Sequence, residues 1–355
     1  MKSILSLKNK RKFGNDIQNN SLEYTKNSQE NKINEMICDI DRHKGKENNN
    51  KIKYRKGAIK QRKTTKKVKT NYLFEKENIV FDPQNLDEYR DDIIRLIVET
   101  ESSNILNYSK EKIFELQDPL LTFEEKRKNI IEIMFYYSAK WELNPDSIFL
   151  AVNIMDRYIN KIKLEKDEYE LVGLASFMIG SKYEDIYSPN AKCLSRLYNF
   201  KYESESILEK EVQILNTLDY SLLYTSSYKI LKTIFHISNI EDENVYYLSE
   251  LLLQISLTDL SILKYPQRKR AIAAFLISKK FFKIRGSNYK IQFLFGYGEN
   301  ETRTVQKKMV NLLIKVVYSQ KVNLIVIKYR APKYGNVYTL FEQKAYELEK
   351  KKNKK

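Results

Sequence analysis

Apolar side chains recur along most of this chain at intervals of three and four residues, the repeat that lines one face of an α-helix. From Leu86 to Glu99 the stripe runs through Tyr89, Ile93 and Leu96/Ile97, and from Phe123 to Leu143 through Ile130, Ile133, Met134 and Tyr137. Asn144-Pro145 then supplies a helix cap and a first-turn proline. The helix that follows carries Ile148, Val152, Met155 and Ile159 inward. Asp167 to Lys182 differs: it is apolar on every side and holds Gly173, Ala175, Ser176 and Gly180. A helix of that kind belongs at a domain centre, where small residues let neighbours approach closely. Tyr202 to Tyr220 closes the set, with Ile207, Leu208, Leu215 and Leu218 expected inward.

A second series follows through Tyr228–Phe235, Val245–Leu257, Arg270–Phe282 and Thr302–Val317, with a proline break at Pro266. It too has one apolar central element, around Ala271–Ile277. No pair of alternating β-branched runs is joined by an Asn-Gly type turn. The pattern predicts an all-α chain of two tandem helical domains with about five helices each, and the repeated order looks like a divergent duplication.

Residues 1–80 have no such period. They are rich in Lys, Asn and Glu, a composition that cannot bury enough surface to repay the entropy of ordering, so the segment is expected to be a disordered basic tail. Borders follow at 81–223 and 224–340 for the two domains, with a basic C-terminal tail at 341–355. Charge follows this division. The formal net charge is +17, yet residues 1–80 hold 21 Lys/Arg against 9 Asp/Glu, while 81–340 hold 36 against 34. A groove that tracks phosphates would carry its surplus on the folded body, so no specific nucleic acid is expected as a partner. The two cysteines, Cys38 and Cys193, have neither metal-type nor disulfide-framework spacing. The longest charge-free apolar run, Leu171 to Ser181, is shorter than the ~18 residues a membrane span requires. The expectation is a reduced, soluble chain with no membrane association. His43 and His236 are isolated, no phosphate-cradling Gly-rich loop is present, and no nucleophile–base set can be assembled. No enzyme activity and no cofactor or metal is expected.

The informative residues are charges within segments that read as buried helix: Asp156, Lys182, Glu184 and Glu211. A buried ion left without a partner costs roughly 3–5 kcal/mol. Asp156 sits at the edge of its helix's inward stripe, and Arg127 on the preceding helix is placed to meet it in fork geometry. That pair reads as an internal brace. Lys182 and Glu211 converge at one end of the first domain. They form either an internal salt bridge or a charged centre facing another molecule.

MDRYI (155–159), LVGLASFMIGSKYEDIYSPN (171–190) and EKEVQILNTLDYSL (209–222) resemble the cyclin box, most closely that of the A- and B-type mitotic cyclins. EYRDDI (88–93), KRKNIIEIMFYYSAKWEL (126–143), ISLTDLSILKYP (255–266) and KYRAPKYGNV (328–337) extend the resemblance over about 86–340. It implies two tandem five-helix cyclin-box domains, the first of them kinase-binding. It also implies a non-enzymatic subunit that activates a cyclin-dependent Ser/Thr kinase as a heterodimer, at the G2/M transition and in mitosis. In such a subunit the Lys182–Glu211 pair would hydrogen-bond the kinase around its mobile helix. Tyr89, Ile93, Tyr183 and Leu215 would add apolar contacts, and Arg127, Asp156 and Leu171 would form the internal brace and core. The family's substrate-docking patch, Met-Arg-x-Ile-Leu-x-x-Trp, is altered here to Lys126, Arg127, Asn129, Ile130 and Ile133, which puts docking of Arg-x-Leu motifs in doubt. Gly180, where the family commonly has Ala, and Asp185, where it commonly has Glu, read as tolerable departures.

The resemblance further implies degrons in the tail. Arg11, Asp16, Ile17 and Asn19 resemble a destruction box with Gly14 at the Leu anchor. Lys46-Glu47-Asn48 and Lys76-Glu77-Asn78 are KEN triplets, the type read by the anaphase-promoting ubiquitin ligase. The basic cluster KQRKTTKKVK (60–69) reads as a nuclear import signal, as an electrostatic contact to nucleic acid, or as a solvated charge run. Nucleus and cytoplasm are the expected locations. The alternative function is a tandem cyclin-fold transcription factor that binds promoter DNA and polymerase.

Overall fold

A computed structural model describes residues 92–101, 120–165, 168–238, 240, 242–319 and 321–352. The tail positions singled out above, together with Tyr89, lie outside these residues. Among the described residues every regular element is helical.

A helix over 92–101 (α1) precedes the first domain. That domain comprises α2 (Leu120–Lys140), α3 (Pro145–Ile159), α4 (Glu168–Glu184), the short α5 (Ala191–Ser195) and α6 (Ser204–Thr217). The second comprises α7 (Ser227–Ser238), α8 (Glu243–Ser256), the single turn α9 (Leu260–Leu263), α10 (Gln267–Phe281), α11 (Tyr289–Phe295) and α12 (Glu299–Val317). Three 3₁₀ turns, Leu324–Val326, Lys328–Arg330 and Pro332–Tyr334, lead into α13 (Val337–Lys352). The border expected at 340 falls inside α13. Phe341 is buried and stacks on Phe281, so the helix continues past that point instead of giving way to a tail.

Small residues explain how the centres close. In α4 the ten residues from Val172 to Ser181 are all buried. A Cβ on Gly180 would press on the Ser147 carbonyl oxygen and lie 3.0 Å from the Ala151 Cβ, so α3 and α4 approach more closely than alanine permits. Glycine at 180 is therefore required by the packing and is more than tolerable. The entry to α3 is capped twice: the Asn144 side chain accepts from the Asp146 N–H, and Asp185 accepts from the Asn144 N–H at 2.8 Å and from the Ser147 hydroxyl. In the second domain α10 takes the equivalent place, with every residue from Arg270 to Lys279 buried.

Polar contacts tie the two domains together at several points. Arg127 of α2 donates to the Leu257 carbonyl at 2.7 Å. Glu132 accepts from the Asn323 side-chain amide at 2.8 Å and from the Leu324 N–H. Asp146 accepts from the Ser226 hydroxyl and lies 3.7 Å from the Lys232 ammonium. Glu101 of α1 accepts from the Arg268 N–H at 2.7 Å, at the first turn of α10, and pairs with the Arg268 guanidinium. Burial pushes the Asp146 carboxyl up to about 6, against the pull of Lys232, Lys229 and the Ser226 bond.

Two expectations about α1 and α6 need correction. On α1 the buried apolar residues are Ile94 and Ile97; Leu96 is exposed and Ile93 half-buried, so the inward face is turned by one residue. On α6 the buried stripe is Ile207, Lys210, Glu211 and Ile214, continued by Leu218, and Leu208 stands exposed. Spacings of three and four fit Leu208–Leu215 as well as Ile207–Ile214, and only the neighbouring helix decides between them.

Candidate functional site

Each of the four charges has a partner. Arg127 donates from Nε and Nη2 to the two Asp156 carboxylate oxygens, both at 2.7 Å, with both side chains buried. The fork geometry, supplemented by the Leu257 carbonyl, makes this an internal brace with no face toward solvent. Leu171, assigned with it to the core, is half-buried and packs against the core from its edge. Glu184 pairs with Lys229 of α7 at 2.6 Å.

The third pair is different. Lys182, in the last turn of α4, donates to both Glu211 carboxylate oxygens at 2.7 and 2.8 Å. The Glu211 side chain is 11% exposed and the Lys182 side chain 46%. The carboxylate is held against the bundle while the ammonium projects from it. An ammonium has three donors and a carboxylate about four acceptor sites, so the pair keeps hydrogen-bonding capacity for a further molecule. Sequence reasoning placed both residues at one end of the bundle, and the structure joins them there.

Exposed apolar side chains lie on the same two helices. Tyr183 follows Lys182 and is exposed, as are Ile186 and Tyr187 just beyond α4. On α6, Leu208 and Val212 are exposed and Leu215 is half-buried, one apolar stripe at spacings of four and three beside Glu211. Val212, Ile186 and Tyr187 were not singled out in the sequence, and Leu208 was expected inward. The usable signal was that α6 carries two apolar stripes where a single core needs one. Large apolar groups around a hydrogen-bonded charged pair have the composition of an interface centre. Ile93 lies on α1, half-buried against the core.

The altered docking surface is partly occupied by the chain's own side chains. Ile130 is buried beneath Gly173, Asn129 is exposed, and Ile133 is half-buried. The Lys126 ammonium lies 5.3 Å from the centre of the Tyr169 ring. Glu170, at the start of α4, accepts from the Lys201 ammonium and the Tyr202 hydroxyl, both at 2.8 Å. A cation, Lys126, therefore stands at the position where the resemblance implies the methionine of the patch.

The cyclin N-terminal domain family matches residues 92–223 and the cyclin C-terminal domain family residues 225–343. Among curated relatives, the G2/mitotic-specific cyclin cdc13 of Schizosaccharomyces pombe is 28% identical over 66% of this chain and 48% of its own length. The G2/mitotic-specific cyclin-B of Emericella nidulans is 30% identical over 53% of this chain and 39% of its own length. The chain thus spans less than half the length of these relatives. Among solved structures, a viral cyclin from herpesvirus saimiri superposes with a TM-score of 0.53 at 18% identity, covering 61% of this chain and 97% of that one, a likeness of fold.

Proposed function

Because this chain belongs to the cyclin family, we propose that it is a non-enzymatic regulatory subunit that binds and activates a cyclin-dependent Ser/Thr protein kinase, acting at the G2/M transition and in mitosis. The observation that carries this reading is the half-exposed Lys182–Glu211 pair, set among exposed apolar residues of α4 and α6. Its free donors and acceptors fit the backbone groups at one end of the kinase's mobile helix. Tyr183, Leu215, Leu208 and Val212 would cover the contact, Ile93 would extend it along α1, and Tyr89 would add to it. Binding the active kinase conformation more tightly than the inactive one shifts its population. A change from 1:99 to 99:1 requires a differential affinity of about 10⁴, or ~5.5 kcal/mol. Once the kinase helix is fixed, positioning and electrostatics perform the phosphoryl transfer. The mitotic stage is supported by the names of the curated relatives, which offer no support for a transcription factor.

The test is direct. Adding the full chain to a purified cyclin-dependent kinase is expected to raise peptide phosphorylation by orders of magnitude. Lys182→Ala with Glu211→Ala abolishes the gain while leaving the helical circular dichroism unchanged. Normal activation by the double variant sinks the interface assignment.

The same proposal extends to the tail. Lys46-Glu47-Asn48 and the Arg11–Asn19 segment serve as degrons for the anaphase-promoting ubiquitin ligase, and the 60–69 cluster supports nuclear entry from the cytoplasm. Replacing Lys46-Glu47-Asn48 by alanines is expected to lengthen the chain's half-life at mitotic exit, measured by immunoblot.

A further inference from the structure

The second domain carries an exposed aromatic pair for which the proposed kinase contact has no use. Tyr289 and Phe293, one turn apart on α11, are 72% and 74% exposed, with ring centres 6.2 Å apart and planes inclined by 22°. The platform beneath them is fixed. Ile291 and Phe295 are buried, and Gly296 ends the helix in the left-handed region with φ +75°. Arg268 donates to the Phe295 carbonyl at 3.0 Å and lies over the Tyr297 ring. Lys279, itself buried, donates to the Gly286 carbonyl at 2.8 Å and to the Asn288 side chain at 2.6 Å, which secures the preceding loop. Rings held open to water on a rigid base form a pre-organised contact surface, because little ordering entropy is lost when something settles on them.

Charge says what that is. Residues 260–298 contain nine Lys/Arg and no Asp or Glu, within a body whose charge as a whole is nearly balanced. Arg268 is taken up by Glu101, Arg270 is buried, and Lys279 is bound to the loop. Lys280, Lys283, Arg285 and Lys290 remain exposed, and among the described residues none of the four has a carboxylate partner. We propose that the Tyr289/Phe293 surface with Lys280, Lys283, Arg285 and Lys290 is a second docking site, which takes an acidic peptide segment of a partner protein through an apolar side chain flanked by Asp or Glu. The apolar anchor is favoured over single-stranded nucleic acid because the two rings stack on each other. They present edges and outer faces to a side chain instead of separate platforms for successive bases.

The test uses the full chain. A random 12-residue peptide display library is panned on the wild type after depletion on Tyr289→Ala/Phe293→Ala, and enriched peptides are synthesised and titrated by fluorescence anisotropy. The expected peptides pair Asp or Glu with Leu, Ile or Phe. Their affinity falls at least tenfold with Tyr289→Ala/Phe293→Ala and again with Lys283→Ser/Arg285→Ser/Lys290→Ser. Kinase activation and thermal unfolding stay unchanged, since these side chains are largely outside the core. No differential enrichment, or enriched peptides without acidic residues, overturns the proposal. So does a (dT)20 oligonucleotide that binds more tightly than any peptide and is released by the same variants.

Discussion

Two ion pairs of the same chemistry sit a few helical turns apart, and their surroundings predict opposite consequences when each is broken. Asp156→Ala leaves the Arg127 guanidinium, 1% exposed, with the Leu257 carbonyl as its remaining named acceptor. A buried cation deprived of its counter-ion costs about 3–5 kcal/mol. Lys182→Ala removes a side chain 46% exposed from a carboxylate 11% exposed. Solvent screening holds a pair of that kind to about 0–1 kcal/mol, and the largely buried Glu211 places the loss near the upper end. For a body of this size roughly 2–4 °C of melting temperature accompanies each kcal/mol. Asp156→Ala should therefore lower the transition by about 6–20 °C, and Lys182→Ala by at most ~4 °C. Activation should run the other way: Lys182→Ala loses most kinase stimulation at temperatures where it is fully folded, while Asp156→Ala loses stimulation only as it unfolds. Calorimetry of both variants, paired with a phosphorylation assay at 15 °C, reads both axes. Equal melting losses, or a Lys182→Ala protein that stimulates like the wild type, would refute the assignment of one pair to the brace and the other to the interface.

Three further outcomes follow from the packing, the buried carboxyl and the altered groove. Gly180→Ala pushes α4 off the Ser147 carbonyl and should destabilise by about 1–3 kcal/mol, measured by urea unfolding, despite alanine's better helix propensity. Asp146 is raised from 3.8 to about 6 in the fold, so the folded chain holds a proton there that the unfolded chain releases. Its contribution is thus fully present below pH ~4 and is lost as pH rises toward 6, by about 3 kcal/mol. The difference in stability between the wild type and Asp146→Asn, followed by urea titration from pH 4 to 7, should show that slope; a flat difference would contradict it. An Arg-x-Leu peptide added to the kinase assay should not inhibit phosphorylation of a substrate that bears this motif, because Lys126 replaces an apolar contact of the patch and Ile130 is buried beneath Gly173.

Much of this architecture was legible before any coordinates. The Asn144-Pro145 start of α3 and the all-apolar character of α4 are local signals, and both describe the fold. The Arg127–Asp156 and Lys182–Glu211 pairs could be matched because each joins residues 29 apart on successive or nearby helices. Rotation about a helix axis was less legible. Leu96 and Leu208 belong to patterns that fit two faces equally, and the choice is made by a neighbour distant in sequence. Long-range polar ties left no local trace at all. Glu101 finds Arg268 across 167 residues and Glu132 finds Asn323 across 191, and nothing in either neighbourhood specifies the other. The Tyr289/Phe293 surface was passed over because i,i+4 aromatic spacing is also what a buried helix face would show.

Arg127 and Glu132 also set terms for how the polypeptide emerges from the ribosome. Both protrude from α2, yet their acceptor and donors in the second half are translated 130 and 191 residues later. At ~5–20 residues per second the nascent first half waits roughly 6–40 seconds, with Arg127 lacking the Leu257 carbonyl and Glu132 served by Lys128, 3.8 Å away on the same helix. Until Asn323 arrives, the first half is an unfinished surface whose polar network closes only after synthesis of the second half.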